Sequence, residues 1–475
     1  MTQTIKTDIC IIGAGAGGLS VAAGAAQLGV DVTLIENHKM GGDCLNSGCV
    51  PSKSLLAAAH TAFSAKTSHR FGIQVPHYEV DFAKVLGHVH QVIERISHHD
   101  SVERFEGLGV RVIQASGEFC DSNTVKAGDK LIKARRFVIA TGSSPAIPAI
   151  PGLAETPYLT NETIFELTEK PEHLIIVGGG PIGCEMAQAF LQLGTRVTLL
   201  EVAHILPKDD AELVGILRQH LINQGLNLYE QAQIKLVEPQ QDGSINIQVA
   251  INNDLQSIKG SHLLIAAGRQ ANLKNLNLSA ANIEHTSKHI VTDARLRTSN
   301  KKIYAIGDVT GPYQFTHMAG YHAGIIIKNV LFRIPAKVNY NAVPWVTYTS
   351  PELAQVGVTE AQAKQRNLHY QLVEWKFTEN DRAQCELTTP GKIKVMVNRK
   401  GLILGVSMLG PHAGDLIQPW IIAMNNRLTI RKMAEYISPY PTFAEINKRA
   451  AGSYFTPLLF SDKTRRLVRW LRKLG

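Results

Sequence analysis

An internal repeat constrains this chain more than any other feature. Residues 8–36, DICIIGAGAGGLSVAAGAAQLGVDVTLIE, and residues 173–201, HLIIVGGGPIGCEMAQAFLQLGTRVTLLE, share one plan: apolar strand, glycine turn, apolar helix, second strand, terminal glutamate. Gly13, Gly15, Gly18 and Glu36 of the first copy recur as Gly178, Gly180, Gly183 and Glu201, each 165 residues later. A lone G-x-G-x-x-G says little, but here each follows a strand, opens a helix and is closed by an acid at the end of the next strand. Missing side chains let the backbone turn tightly and approach a pyrophosphate. The helix start offers unpaired N–H groups and a positive dipole end, and the glutamate accepts from a ribose hydroxyl. Glycine turns that serve packing alone are the competing reading, which leaves the paired acids unexplained. Two dinucleotide sites are expected.

A chain of 475 residues predicts about three domains at roughly 150 residues each. With 44% hydrophobic and 19% charged residues it can fill cores, which excludes general disorder. The net charge is +9, of which the last fifteen residues, SDKTRRLVRWLRKLG, supply +5. The body is thus only mildly basic, and no nucleic-acid partner is expected. Six cysteines are too few for a disulfide-stapled secreted scaffold, so a reducing, cytoplasmic setting is expected. The apolar stretch Ile9–Val30 lacks a basic leader and is rich in Gly and Ala, and reads as strand, turn and helix rather than as a signal peptide. No run approaches the twenty or so apolar residues of a membrane span.

The prolines of FVIATGSSPAIPAIPG, Pro145, Pro148 and Pro151, make a stiff connection without regular structure and mark a domain boundary. LLIAAGRQANL echoes VIATG, and KKIYAIGDVTG returns the chain to the first domain. From Asn341 onward, alternating stretches such as KIKVMVN and LILGVSMLG predict an antiparallel sheet with helices on it. The expected fold is α/β: two Rossmann-like dinucleotide-binding domains, at 1–150 with 275–340 and at 151–274, an α+β interface domain at 341–460, and a basic amphipathic tail at 461–475.

Cys44-Leu45-Asn46-Ser47-Gly48-Cys49-Val50-Pro51-Ser52-Lys53 carries the chemistry. Gly41, Gly42 and Gly48 permit close approach, while Pro51 and the LLAAAH run predict that a helix begins here. Thiols at a helix start have lowered pKa values, and two of them can cycle between disulfide and dithiol. Two buried structural cysteines, or half of a metal site, are the alternatives. No second Cys/His pair has ligand spacing, so no resident metal is expected. Cys10, Cys120, Cys184 and Cys385 are isolated and are expected to be small buried hydrophobes.

The ordered set GAGAGG, GGDCLNSGCVPSK, ATG, GGGPIGCE, AAGR, AIGD and PTFAE resembles the flavin-dependent pyridine nucleotide-disulfide oxidoreductases, the group of glutathione reductase, dihydrolipoyl dehydrogenase and mercuric reductase. The resemblance spans nearly the whole chain. It implies FAD in the first domain, a nicotinamide nucleotide in the second, and a homodimer built through the third. Cys49 would face the flavin, Cys44 would exchange electrons with the substrate, and Lys53 would sit near the flavin and pair with Glu185. The implied FAD set is Gly13, Gly15, Gly18, Glu36, Gly42, Lys53, Gly117, Thr141, Gly142 and Asp308; the implied NAD set is Gly178, Gly180, Gly183, Glu201 and Gly268. A cation near a ring that gains a hydride stabilises the charge formed there. A purely structural Lys53–Glu185 ion pair is compatible with that role. Glu201 favours the 2′-hydroxyl of NADH over the 2′-phosphate of NADPH, and the following Val202-Ala203-His204 brings no arginine; Arg196, before the strand, is the one that could swing in.

The substrate end departs from the commonest pattern of that family, His-x-His-Pro-Thr-x-x-Glu, supplied across the dimer. Here the segment reads Ser438-Pro439-Tyr440-Pro441-Thr442-Phe443-Ala444-Glu445, with tyrosine at the place of the acid-base histidine. A phenol with a pKa of about 10 is a poor base for activating a dithiol. Tyr440 is either a substrate-site group, as the resemblance to mercuric reductases implies, or an amphipathic filler. Those enzymes also use a terminal cysteine pair, whereas the last cysteine here is Cys385. The expected activity passes electrons from NADH through flavin and the Cys44–Cys49 disulfide to a metal ion, small disulfide or quinone. Dihydrolipoyl dehydrogenase and a non-catalytic redox sensor are the alternatives. His88, His90, His98 and His99 fall in one predicted helix without metal-ligand spacing. In the tail, Leu467, Val468, Trp470, Leu471 and Leu474 cluster opposite Arg465, Arg466, Arg469, Arg472 and Lys473, as in an interfacial helix, which offers a weak peripheral contact with the inner membrane face; docking on the protein itself or plain solvation are the other readings.

Overall fold

The computed structural model describes residues 3–252 and 254–474. Strands β1 (Gln3–Ile12), β2 (Val32–Glu36) and β3 (Val110–Gln114) run parallel, while β4 (Gly117–Asp121) and β5 (Thr124–Ala127) form a hairpin against β6 (Lys130–Ile139). Their order is β3-β2-β1-β6-β5-β4, with β1 and β6 parallel in a register that sets Ile12 beside Ile139. β2 is buried along its whole length, as a strand covered on both faces must be. Each fully buried Val, Leu or Ile here is worth about 1.5–3 kcal/mol relative to an exposed one.

A three-residue strand, β7 (Ser143–Pro145), interrupts the proline-rich connection predicted to lack regular structure. It forms because a returning segment offers it a partner, as described below. The second unit holds β8 (His173–Val177), β9 (Arg196–Leu200) and β10 (Asn227–Tyr229), then the meander β11 (Gln233–Pro239), β12 (Ile245–Ile251) and β13 (Asp254–Gly260), then β14 (His262–Ile265). The parallel sheet is ordered β10-β9-β8-β14. β15 (Arg269–Ala271) pairs antiparallel with β7, and β16 (Ile303–Ala305) rejoins the first sheet parallel to β6. Two neighbouring short strands thus carry the chain between the two dinucleotide units.

The third unit is an antiparallel sheet ordered β17-β18-β21-β20-β19, from β17 (Pro344–Thr347), β18 (Glu352–Gly357), β19 (Gln371–Lys376), β20 (Lys392–Val397) and β21 (Ile403–Gly410). Trp420 and Ile446 pack into its core from the helices Gln418–Asn425 and Glu445–Ser453. No helix among the described residues is long and apolar enough to cross a membrane. Two of the four isolated cysteines depart from expectation. Cys10 and Cys184 are buried, but Cys120, near the end of the hairpin strand β4, and Cys385, at the end of a short helix, are exposed. His88 and His90 lie in the helix Phe82–Ser97, while His98 and His99 fall in the turn that follows it; all four face solvent.

Candidate active site

The two copies of the repeat fold almost identically at their turns. Gly13 has φ +106° and Gly178 φ +112°, left-handed values that favour glycine. A Cβ at Gly13 would lie 2.4 Å from the Ala140 carbonyl oxygen, and one at Gly178 2.4 Å from that of Ala266. A Cβ at Gly18 or Gly183 would fall 1.9 Å from the carbonyl oxygen of Gly13 or Gly178, so each third glycine brings helix and strand together. The acids match too. Glu36 accepts from the Ala14 N–H at 2.6 Å and the His38 N–H at 2.8 Å; Glu201 accepts from the Gly179 N–H at 2.6 Å and the Ala203 N–H at 2.9 Å.

Both helix starts suit an anionic ligand. The helices Ala16–Ala26 and Pro181–Gln192 begin without a side-chain cap and without an acid in the first turn, which leaves their N–H groups available. A Cβ at Gly142, Gly180 or Gly268 would meet nothing within 4 Å, and each of these residues lines one cleft of about 2600 Å³. The cleft runs past Glu36, Gly117 and Asp308, past both cysteines, and on to Glu201. Its size, glycine lining and uncapped helix ends fit two dinucleotides.

The segment between the cysteines turns at Ser47 and Gly48, where one helix ends and the next begins. Cys44 lies in the short helix Gly42–Asn46, and Cys49 is the first residue of the helix Cys49–Thr67. A Cβ on Gly48, between them, would stand 2.9 Å from the Asp43 carbonyl oxygen and 3.2 Å from the Cys44 Cα. Both thiols are free. The neighbouring Cys44 thiol is the main reason the Cys49 pKa is lowered to about 6. Burial opposes this, while Thr316 and the Lys53 ammonium add to it. Cys49 in turn, with burial, pushes the Cys44 thiol up. Thr316 Oγ1 lies 3.3 Å from Cys49 Sγ at the first position of the helix Thr316–Val330.

Lys53, one turn further along the Cys49 helix, donates to the buried Glu185 at 2.7 Å. The other Glu185 oxygen accepts from the Tyr348 N–H at 2.9 Å, and Lys53 Nζ stands 4.4 Å from the centre of the Tyr348 ring. Three units of the chain therefore converge on one ammonium. Asp308 accepts from Ser143 at 2.6 Å, and burial raises its pKa. Arg269 donates to the Ser143 hydroxyl and carbonyl, each at 2.7 Å, and pairs with Asp43 at 3.1 Å. It thereby ties the residue beside Cys44 to the β7–β15 crossing. Thr141 donates to the Asn272 carbonyl at 2.9 Å.

Tyr440 and Glu445 are not brought to this cleft within one chain. Tyr440 is 66% exposed on the interface unit and donates to Asp381 at 2.9 Å; Glu445 opens a helix and pairs with Arg449 at 2.8 Å. Among the described residues no group of three or more His, Cys, Asp or Glu is arranged to hold a metal ion. Arg196 begins β9 and Glu201 follows its end, so their backbones stand about 16 Å apart, at ~3.3 Å per residue. That separation removes Arg196 as a neighbour of the acid. Sequence reasoning missed Asp43, Ser143, Arg269, Thr316 and Tyr348. Asp43, Ser143 and Arg269 sit inside or beside quoted motifs, whereas nothing local marks Thr316 or Tyr348.

The chain matches the family model described as pyridine nucleotide-disulphide oxidoreductase over residues 7–323, and the dimerisation domain of that family over residues 343–451. It is 36% identical over 452 residues to a mercuric reductase of Lysinibacillus sphaericus, covering 94% of this chain and 82% of that protein. It is 33% identical over 456 residues to a dihydrolipoyl dehydrogenase of Geobacillus stearothermophilus, covering 94% and 96%. Among solved structures, the Cu(II) complex of the HOCl-induced flavoprotein disulfide reductase RclA from Escherichia coli superposes with a TM-score of 0.85 at 27% identity, over 94% of this chain and 99% of that one.

Proposed function

The chain belongs to the pyridine nucleotide-disulphide oxidoreductase family, FAD-dependent enzymes that use NAD(P)H, and we propose that it oxidises NADH and delivers the electrons through Cys49 and Cys44 to a thiophilic metal ion. The observation that carries this reading is the state of the sulfurs. Cys49 is held as a thiolate at neutral pH by the Cys44 thiol, Thr316 and Lys53, with a phenol rather than an imidazole at the place of the C-terminal base. A metal ion bound by two sulfurs needs electrons but no proton shuttled by a histidine, whereas a dithiol substrate needs a base.

A bound flavin supplies the two-electron relay between nicotinamide and sulfur. In this reading the chain does the rest. The uncapped helix starts and Glu36 hold one dinucleotide, and Gly178, Gly180, Gly183, Gly268 and Glu201 hold the other with its ribose hydroxyls free of phosphate. Lys53, fixed by Glu185, places a cation where negative charge develops. Asp308 and Thr141-Gly142 flank the cofactor, and Tyr440 and Glu445 reach the sulfurs from a second copy of the chain, through the interface domain. The domain limits expected from sequence follow from the same reading. One NADH releases two electrons and a proton, enough to reduce one Hg(II) to metal or two Cu(II) to Cu(I).

The mercuric reductase relatives and the Cu(II)-bound neighbour support this acceptor class. The test is anaerobic and steady-state oxidation of NADH and NADPH with Hg(II), Cu(II), lipoamide, glutathione disulfide and quinones, with Cys44→Ser as control. Metal-dependent turnover lost in Cys44→Ser is expected. Unimpaired turnover by that variant, or preferred turnover of lipoamide, would overturn the proposal; stoichiometric reduction that then stops would assign a sensor.

A further inference from the structure

The helix Asp462–Leu471 lies beyond residue 451, where the match to the dimerisation domain ends, and none of its residues is buried. Ser461 caps it through the Thr464 N–H. At 100° per residue, Leu467, Val468, Trp470 and Leu471 share one face, and Leu474 follows in the turn beyond. These five side chains are 47–67% exposed. Leu458, Leu459 and Phe460, just before the helix, are 57–71% exposed and extend the apolar surface. Arg465, Arg466 and Arg469 occupy the opposite face, joined by Arg472 and Lys473 after its end, and Asp462 is its sole acid.

We propose that this helix docks on an anionic lipid surface. A ten-residue helix is about 15 Å long, too short to span a bilayer but long enough to lie within its interface. Charge selects the occupant. A second copy seated on the same face would cover the apolar side chains but leave the cations without an anionic partner, since Asp462 is the only acid of the segment. An anionic leaflet provides apolar depth for Leu467, Leu471 and Trp470, and headgroup phosphates for the flanking cations. Trp470 is the side chain suited to the boundary, with an apolar body and one N–H donor. In a homodimer two such helices act together, which multiplies a weak single contact through effective concentration. The inference is independent of the electron acceptor.

The test is co-sedimentation of the flavin-loaded, full-length protein with vesicles of phosphatidylcholine alone and of phosphatidylcholine with phosphatidylglycerol. Partition onto the anionic vesicles is expected to exceed that onto the neutral ones by at least about tenfold and to fall with added salt. The double variant Trp470→Glu, Leu471→Glu is expected to lose binding by about tenfold or more. The double variant Arg465→Gln, Arg469→Gln is expected to lose the anionic preference. Both keep the flavin content and NADH oxidation of the wild type, which separates a docking defect from a folding defect. Equal partition onto both lipids, or undiminished binding by the two double variants, overturns the proposal. So does a change in oligomeric state of the Trp470→Glu, Leu471→Glu variant in the absence of lipid, which would assign the face to a second copy.

Discussion

The two copies of the glycine turn are the same device under different roofs. At Gly13 and Gly178, and again at Gly18 and Gly183, a Cβ would clash with the corresponding carbonyl at the same distance. Above the turn they diverge. In the first copy Gly42, at φ +61°, sits so close that a Cβ on it would be 2.7 Å from the Gly15 Cα, and Gly15 and Gly41 form a β-bridge. In the second copy nothing lies within 4 Å of a Cβ at Gly180, and Val202, just beyond the acid, is 69% exposed. The redox segment closes over the first turn at Gly15, whereas Ile205 and Leu206 meet the second turn at Gly179 and leave Gly180 open. On the proposed reading this separates a retained flavin from an exchanging nicotinamide: two matching pyrophosphate cradles differ in off-rate because the redox segment packs over Gly15 of the first and nothing lies against Gly180 of the second.

That comparison breaks most visibly at the lid. Gly42→Ala adds a methyl group against backbone and strains a left-handed residue, so retention of FAD is expected to fall about a hundredfold, or ~2.7 kcal/mol. The bound flavin of purified protein, measured by absorbance, reads this directly. Gly180→Ala strains nothing, since Gly180 has φ −73°, and its methyl enters the open cleft. It is expected to keep its flavin and to raise the KM for NADH by about tenfold, the equivalent of ~1.4 kcal/mol of binding. Equal flavin loss in the two variants would abolish the distinction.

The acids offer a second, smaller contrast. Glu36 and Glu201 each accept two backbone N–H groups and bind the turn as well as facing the cleft. Glu201→Ala is expected to lower the preference for NADH over NADPH, measured as the ratio of kcat/KM values, by about tenfold, because it removes both a ribose acceptor and a charge that repels phosphate. Glu36→Ala is expected to leave that ratio unchanged and to lower flavin content instead. A preference unmoved by Glu201→Ala would transfer nucleotide selection to Lys208 and Lys235, cations that line the same cleft.

How far the sequence reaches follows from the range of each signal. The repeat and the cysteine pair were legible because a motif of fixed spacing carries them, whereas the Lys53–Glu185 pairing, across 132 residues, was implied only by the resemblance to a family. The β7 strand was not, since Ser143–Pro145 is extended by pairing with Arg269–Ala271, more than a hundred residues on. Cys120 and Cys385 stand apart from every motif, which is why burial is expected of them. Cys120 falls near the end of a hairpin strand and Cys385 at the end of a five-residue helix, places where a small apolar residue gains little burial. Arg269 was quoted as part of AAGR, yet its reach to Asp43 and Ser143 depends on how two units are joined. Tyr440 stays legible only in part, because within one chain it donates to Asp381 away from the cleft, and its place at a substrate site depends on the proposed dimer.

Thr316 gives the finest test of the lid, since it acts on the thiolate from an element the lid does not contain. Its hydroxyl, 3.3 Å from Cys49 Sγ, stabilises the charged sulfur, as does the Cys44 thiol. With the Cys49 pKa lowered to about 6, alkylation of the reduced protein by iodoacetamide is expected to be constant above neutral pH and to fall through a midpoint near 6. The linkage has the same sign: because the folded value lies below that of an unfolded thiol, the stabilisation is complete above pH ~8.5 and disappears as pH drops through the folded midpoint. Thr316→Val keeps shape and removes the donor, which at a partly open site costs about 0.5–1 kcal/mol, a two- to five-fold effect. The midpoint therefore moves toward that of an ordinary thiol, and alkylation at pH 6 slows while the rate at high pH is unchanged. If the whole profile is lowered uniformly instead, Thr316 governs access to the sulfur rather than its charge, and the Cys44 thiol and Lys53 alone hold the thiolate.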